Sequence, residues 1–102
     1  MILIDSNIRK RFPSSFRKAR KERIRCVRLR AGLFYVARKA KGHSEYIVRM
    51  FRQGDAYLAV CGTLNNERCK GTYDDKCCTH VAAALESNQR YMNKKQKRVR
   101  AA

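Results

Sequence analysis

Five cysteines occur in the chain, and four of them, Cys61, Cys69, Cys77 and Cys78, crowd together with His80 just beyond. The spacing Cys61-x7-Cys69-x8-Cys78-x-His80 offers three thiols and an imidazole, the donor types of a tetrahedral zinc site. A Cys-x-His pair opening a helix suits this chemistry. The thiolate sits where the helix dipole favours negative charge, and the first-turn imidazole can converge on the same ion. There is one sulfur too many, and Cys69 and Cys77 compete for one position. Cys69 is preferred because it spreads the ligands along the loop, whereas adjacent Cys77 and Cys78 diverge in an extended chain. The plainer alternative is that these are small buried hydrophobes. Apolar burial would scatter cysteines among strands, not gather them in a polar loop beside one of only two histidines. The expected ligands are therefore Cys61, Cys69, Cys78 and His80, and the expected cofactor is structural zinc. Binding at such sites is worth on the order of 10–16 kcal/mol, which rivals the whole stability of a small domain.

Catalytic chemistry has little support. Asp74-Asp75 is the one adjacent carboxylate pair, and a loop turn explains it more simply than a nuclease-type metal cluster. Cys78 and His80 as nucleophile and base would leave the neighbouring cysteines unexplained, and the zinc-deaminase pattern is absent. No enzymatic activity is expected. The charge balance points elsewhere: 25 Lys and Arg against 8 Asp and Glu give +17, which draws the chain to polyanions. Residues 1–30 carry +9, 31–89 carry +2 and 90–102 carry +6, so a near-neutral centre has two basic arms. Arg17, Lys18, Arg20, Lys21, Arg23, Arg25, Arg28 and Arg30, interrupted only by Glu22, could follow a phosphate backbone, with Lys94, Lys95, Lys97 and Arg98 as a second contact. The expected partner is nucleic acid, DNA ahead of RNA. Tyr35, Tyr46, Phe51 and Tyr57 alternate with Arg38, Arg49 and Arg52 and could stack bases, although a small chain without tryptophan needs several of these rings in its core.

Elements that could position these groups follow from the pattern. At 102 residues the chain is one domain's worth of protein with limited apolar material, so a staple helps. Pro13-Ser14-Ser15 reads as a helix start with a capping serine, and Phe16, Ala19, Ile24 and Val27 fall near helical spacing. Val27-Arg28-Leu29-Arg30 alternates with period two, which puts the end of the helix near Cys26. Leu33–Ala37, Glu45–Phe51 and Ala56–Cys61 read as a three-stranded antiparallel meander, turning at Lys41-Gly42-His43-Ser44 and at Gln53-Gly54-Asp55. Residues 62 to 77 form a polar loop, and His80–Tyr91 is a strong helix. The run from Asn93 onward reads as a disordered tail or the frayed end of that helix. The expected fold class is α+β: a small zinc-stapled domain with a basic N-terminal arm and helix (1–32), a three-stranded antiparallel β-meander, ligand loop and helix forming the zinc finger (33–92), and a basic tail (93–102).

The strand pair Phe34-Tyr35-Val36 and Tyr46-Ile47-Val48, a cysteine closing a strand, and Cys78-Thr79-His80-Val81-Ala82-Ala83-Ala84-Leu85 together resemble the SWIM-type zinc finger. That family has Cys-x-Cys, a variable loop and then Cys-x-His opening a helix in a compact ββα arrangement. The resemblance covers about residues 33 to 90 and implies zinc, with DNA binding or protein contact as the role. The Cys-x-His half matches; the Cys-x-Cys half does not, since Gly62 and Thr63 follow Cys61. Small size and compact basic arms also suit a second class of function, a protein-interaction adaptor docking on a recombination, transcription or ribosomal assembly. A free-standing basic finger fits a virus or mobile element as well as a cellular accessory factor. No stretch reaches the roughly 18 apolar residues of a membrane span, and Asp5 cuts off Met1-Ile2-Leu3-Ile4 short of a signal peptide. The expected location is a reducing intracellular compartment, cytoplasm or nucleus, where crowded thiols mean metal and not disulfides.

Overall fold

The computed structural model describes residues 1–37, 45–65, 67–69 and 76–101, with side chains through Gln96. The fold is α+β, with a sheet of five strands where three were expected: β1 (Ile2–Leu3), β2 (Arg25–Arg30), β3 (Leu33–Ala37), β4 (Glu45–Gln53) and β5 (Ala56–Thr63). They pair antiparallel in the order β1-β5-β4-β3-β2. The expected meander is the β3-β4-β5 centre, and each edge gains a strand from the segment anticipated as a basic arm. Ile2 pairs with Ala59, and Cys26 with Val36, so residues 1–32 complete the sheet. The Lys41–Ser44 turn and Asp74-Asp75 lie outside the described residues.

Among the described residues three helices accompany the sheet: α1 (Ile8–Arg11), α2 (Pro13–Lys21) and α3 (Thr79–Ala101). Helix α2 starts at Pro13, whose fixed φ and missing N–H suit a first turn. The expected serine cap is not made. Ser15 Oγ instead donates to the Cys77 carbonyl at 2.6 Å and ties α2 to the ligand loop. The helix ends at Lys21, earlier than the expected switch near Cys26. Arg23 then takes a left-handed backbone with φ 49, which reverses the chain into β2 at Arg25. Of the expected stripe, Phe16 and Ala19 are buried, Ile24 is half-buried, and Val27 lies exposed on β2.

One face of the sheet carries the core. Phe34, Val36, Val48, Met50, Ala59 and Cys61 alternate inward and meet Phe16 and Ala19 of α2 and Val81, Ala82 and Ala84 of α3. The small alanines let α3 lie close to the strands. Gly32 permits the β2–β3 turn: its φ is +75, and a Cβ there would sit 2.4 Å from the Met50 carbonyl oxygen. Helix α3 runs on to Ala101, so of the two alternatives for the run from Asn93, a disordered tail or the end of the helix, the backbone follows the helix. Among the described residues no helix is long and apolar enough to cross a membrane.

Candidate metal centre

Cys61 lies near the end of β5, opposite Val48 on the inward face, and is fully buried. Beyond it the chain doubles back antiparallel to its own strand. Thr63 N–H donates to the Glu67 carbonyl at 2.7 Å, Glu67 N–H donates to Thr63 Oγ1 at 3.2 Å, and Cys69 N–H donates to the Cys61 carbonyl at 3.1 Å. This return sets Cys69 beside Cys61. Gly62 lets the two arms close, because a Cβ there would meet the Glu67 carbonyl oxygen at 3.0 Å.

The other two donors come from the start of α3. Cys78 occupies the N-cap position: its Sγ accepts from Val81 N–H at 3.4 Å, and its carbonyl accepts from Ala82 N–H at 3.0 Å. Two residues on, His80 stacks on Tyr46 of β4 with ring centroids 3.8 Å apart and planes 22° from parallel. The Sγ atoms of Cys61, Cys69 and Cys78 and a ring nitrogen of His80 all lie within 4.8 Å of one another. This three-cysteine, one-histidine cluster could hold a metal ion, and it is the set that the spacing suggested. Cys77 is buried too, but its Sγ points to the Cys78 carbonyl oxygen at 3.7 Å, and it is no member of the cluster.

The electrostatics of the cluster ask for a cation. Both ring nitrogens of His80 are buried without a hydrogen-bond partner among the described residues, although a neutral imidazole has one donor and one acceptor to satisfy. The five cysteines are thiols. Hydrogen bonding to Cys69 and to Cys78, together with burial, pushes the Cys61 thiol far above its ordinary range. For Cys78 the hydrogen bond with Cys61 pulls downward, but the one with Cys69 and burial outweigh it and leave the thiol at about 11. Burial, then the nearby Cys78, lifts Cys77 to about 12. Three sulfurs this close cannot all ionise without a positive ion between them; with one, the thiolate becomes the favoured form.

The basic residues are distributed differently from a single stripe. Arg17, Lys18, Arg20 and Lys21 are exposed on α2, Arg23 is exposed in the reversal, and Arg25 and Arg30 are exposed on β2. Arg28 turns inward, with its guanidinium carbon 4.2 Å from the centre of the Tyr91 ring. Lys94 and Lys95 are exposed on α3, and the side chains of Lys97 and Arg98 lie outside the described residues. Sequence reasoning missed Arg9. It joins Arg17, Arg20 and Lys21 around an open groove of about 530 Å³ floored by Pro13 and Phe16. Arg9 and Arg20 also pair with Glu86 of α3 at 3.4 and 2.9 Å, and Arg9 lies over the Phe16 ring at 4.8 Å. No local pattern marks Arg9, because its position depends on α1 folding back against α2 and α3. The aromatic set divides as well: Tyr46 faces the helices, while Tyr35, Arg49 and Phe51 share the opposite, helix-free face. No family model, characterised protein or solved structure matches this chain.

Proposed function

We propose that this chain is a zinc-stapled nucleic-acid-binding module, with DNA as its preferred ligand and no catalytic role. The observation that carries the metal half is the pair of buried ring nitrogens of His80, unpartnered among the described residues, amid three converging sulfurs. A thiolate-rich tetrahedral donor set favours zinc, and four protein ligands fit a structural rather than a catalytic ion. Bound there, zinc would fasten the end of β5 to the start of α3 and so fix the helix on the sheet.

The nucleic-acid half rests on charge and its placement. A net +17 drives association with a polyanion, and the groove of Arg9, Arg17, Arg20 and Lys21 gathers cations along one side of α2. Charge reversal of Arg17, Lys18 and Lys21 to Glu tests this and leaves Arg20 to hold Glu86. Affinity for a DNA duplex should drop steeply, and log K against log salt should flatten by about 0.9 for each phosphate no longer neutralised. A wild-type affinity indifferent to salt would refute the phosphate reading.

One observation favours the adaptor as a second reading. On the helix-free face of the sheet, Leu3, Val27 and Phe51 are 43%, 50% and 36% exposed, and apolar faces of this kind commonly meet protein partners. The charge-reversal variant separates the two readings, since partner docking through that face would survive it.

A further inference from the structure

Helix α3 outgrows the body on which it packs. Its 23 residues span about 34 Å at 1.5 Å per residue. Burial is complete only near its start, and every side chain from Gln89 to Gln96 is exposed. After Glu86 it has no acidic residue, while Arg90, Lys94, Lys95, Lys97, Arg98 and Arg100 follow. Beyond Arg90, which follows Glu86 by four residues, none of these cations has an acidic residue of the helix three or four positions away to offset their mutual repulsion, so a polyanion is the natural complement.

The root of this projecting half is fixed. His80 stacks on Tyr46 of β4, and Tyr91 lies under the Arg28 guanidinium of β2, so these two positions face the sheet. Gln89, Asn93 and Gln96 follow one another at i, i+4 and i+7. Gln89 is nine residues, or two and a half turns, beyond His80, which aims the carboxamide stripe away from the sheet. Gln89 Nε2 donates to Asn93 Oδ1 at 3.1 Å, so these two amides are already aligned along the helix. On the flank toward α2, Arg90 shares a cleft with Arg20 and Arg23.

We propose that the free half of α3 enters the major groove of B-form DNA, with Asn93 and Gln96 toward the base edges and the α2 cations on the adjoining phosphates. The inference rests on the nucleic-acid reading above and adds the form of the duplex, the groove and the contacts. A helix about 10–12 Å across matches a groove about 12 Å wide, whereas the A-form RNA major groove is too narrow to admit one. A carboxamide presents a donor and an acceptor side by side, the pattern that reads the N6 and N7 edge of adenine.

The test uses full-length, zinc-loaded protein and three probes at one salt concentration: a mixed-sequence DNA duplex, the RNA duplex of the same sequence, and the single DNA strand. Anisotropy gives the affinities, and dimethyl sulfate reactivity of guanine N7 reports the major groove of the saturated DNA complex. The DNA duplex should bind about tenfold or more tightly than either other probe, with N7 protected over a few adjacent base pairs. Asn93→Ala with Gln96→Ala removes no charge and no core side chain; it should keep the salt slope and lose that preference. Reactive N7 in a saturated complex, equal binding of the RNA duplex or single strand, or an unchanged preference in the double variant overturns the groove assignment with phosphate binding intact. Failure to bind any of the three overturns both readings.

Discussion

Substituting His80 by phenylalanine should change stability in opposite directions with and without metal. His80 is 8% exposed, and both its ring nitrogens are buried and have no partner among the described residues when no ion is bound. Each buried polar atom left unsatisfied costs about 1–3 kcal/mol, so the pair is a liability of a few kcal/mol in the metal-free fold. Phenylalanine removes both atoms and keeps a ring on Tyr46. Its larger ring costs part of the gain through overpacking, about 1 kcal/mol or somewhat more. The net expectation under chelation is a gain of about 1–2 kcal/mol, roughly 4–16 °C in Tm for a domain of this size. With metal the sign reverses. The wild type gains about 4 kcal/mol when free zinc is a thousand times Kd, and a variant with three ligands loses most of that gain. Thermal circular dichroism of both proteins, in buffered zinc and in excess chelator with reductant throughout, reads the two differences. Sucrose, added equally to all samples, restores a folded baseline if the chelated wild type lacks one. A Tm loss of the same size in both conditions would refute the reasoning, because His80 would then be ordinary packing. A wild-type Tm indifferent to chelator would refute it from the other side.

Replacing Cys69 by alanine should abolish stoichiometric zinc in native mass spectrometry, whereas Cys77→Ala should retain one ion per chain and cost only the packing of a small buried side chain, about 1–3 kcal/mol. Gly32→Ala should destabilise by about 2–4 kcal/mol in urea denaturation, because φ +75 disfavours a side chain and the new Cβ would displace the Met50 carbonyl. The metal-free fold should weaken from about pH 9 upward. Cys77 and Cys78 are raised to about 12 and about 11 from an ordinary 9.0, so the folded state holds those protons more tightly and its advantage disappears as pH passes through the raised values. The zinc-loaded protein should fail at the other extreme, as protons displace the ion from thiolate and imidazole below about pH 6; urea midpoints across pH, with and without chelator, check both limbs.

The metal cluster was legible in the sequence because ligand chemistry restricts residue type and spacing together. Cys78-x-His80 before an alanine-rich run marks two donors at a helix start, where Cys78 also takes the N-cap position. The choice of Cys69 over Cys77 could be argued only from spacing, and the structure brings Cys69 to the other donors through a return stabilised by backbone hydrogen bonds that leave no mark in side-chain pattern. The central strands were legible from β-branched and aromatic alternation. The edge strands were not: Ile2–Leu3 is too short to show a period, and its partner Ala59 is remote in sequence. The switch from α2 to β2 was misplaced because an arginine, where glycine is usual, takes the left-handed position at residue 23. Charge alone leaves the run from Asn93 open between a disordered tail and the frayed end of the helix; lysine, arginine and glutamine are good helix formers and extend a helix already nucleated on the sheet.

The pairing of β1 with β5 has a consequence for how the chain reaches its fold. The four metal donors lie close together in sequence, so the loops that join them close at little entropic cost and on a fast timescale. Ile2 must instead find Ala59, and Phe16 and Ala19 must find α3, across most of the chain. Closure at the metal centre is therefore the economical first event, and docking of the N-terminal edge strand and α2 the late one. During synthesis the cationic first thirty residues emerge before either partner exists and stay open until α3 is made. With zinc bound as proposed, its supply would set the moment at which the N-terminal segment acquires its structure, although no N-terminal residue belongs to the four-residue cluster.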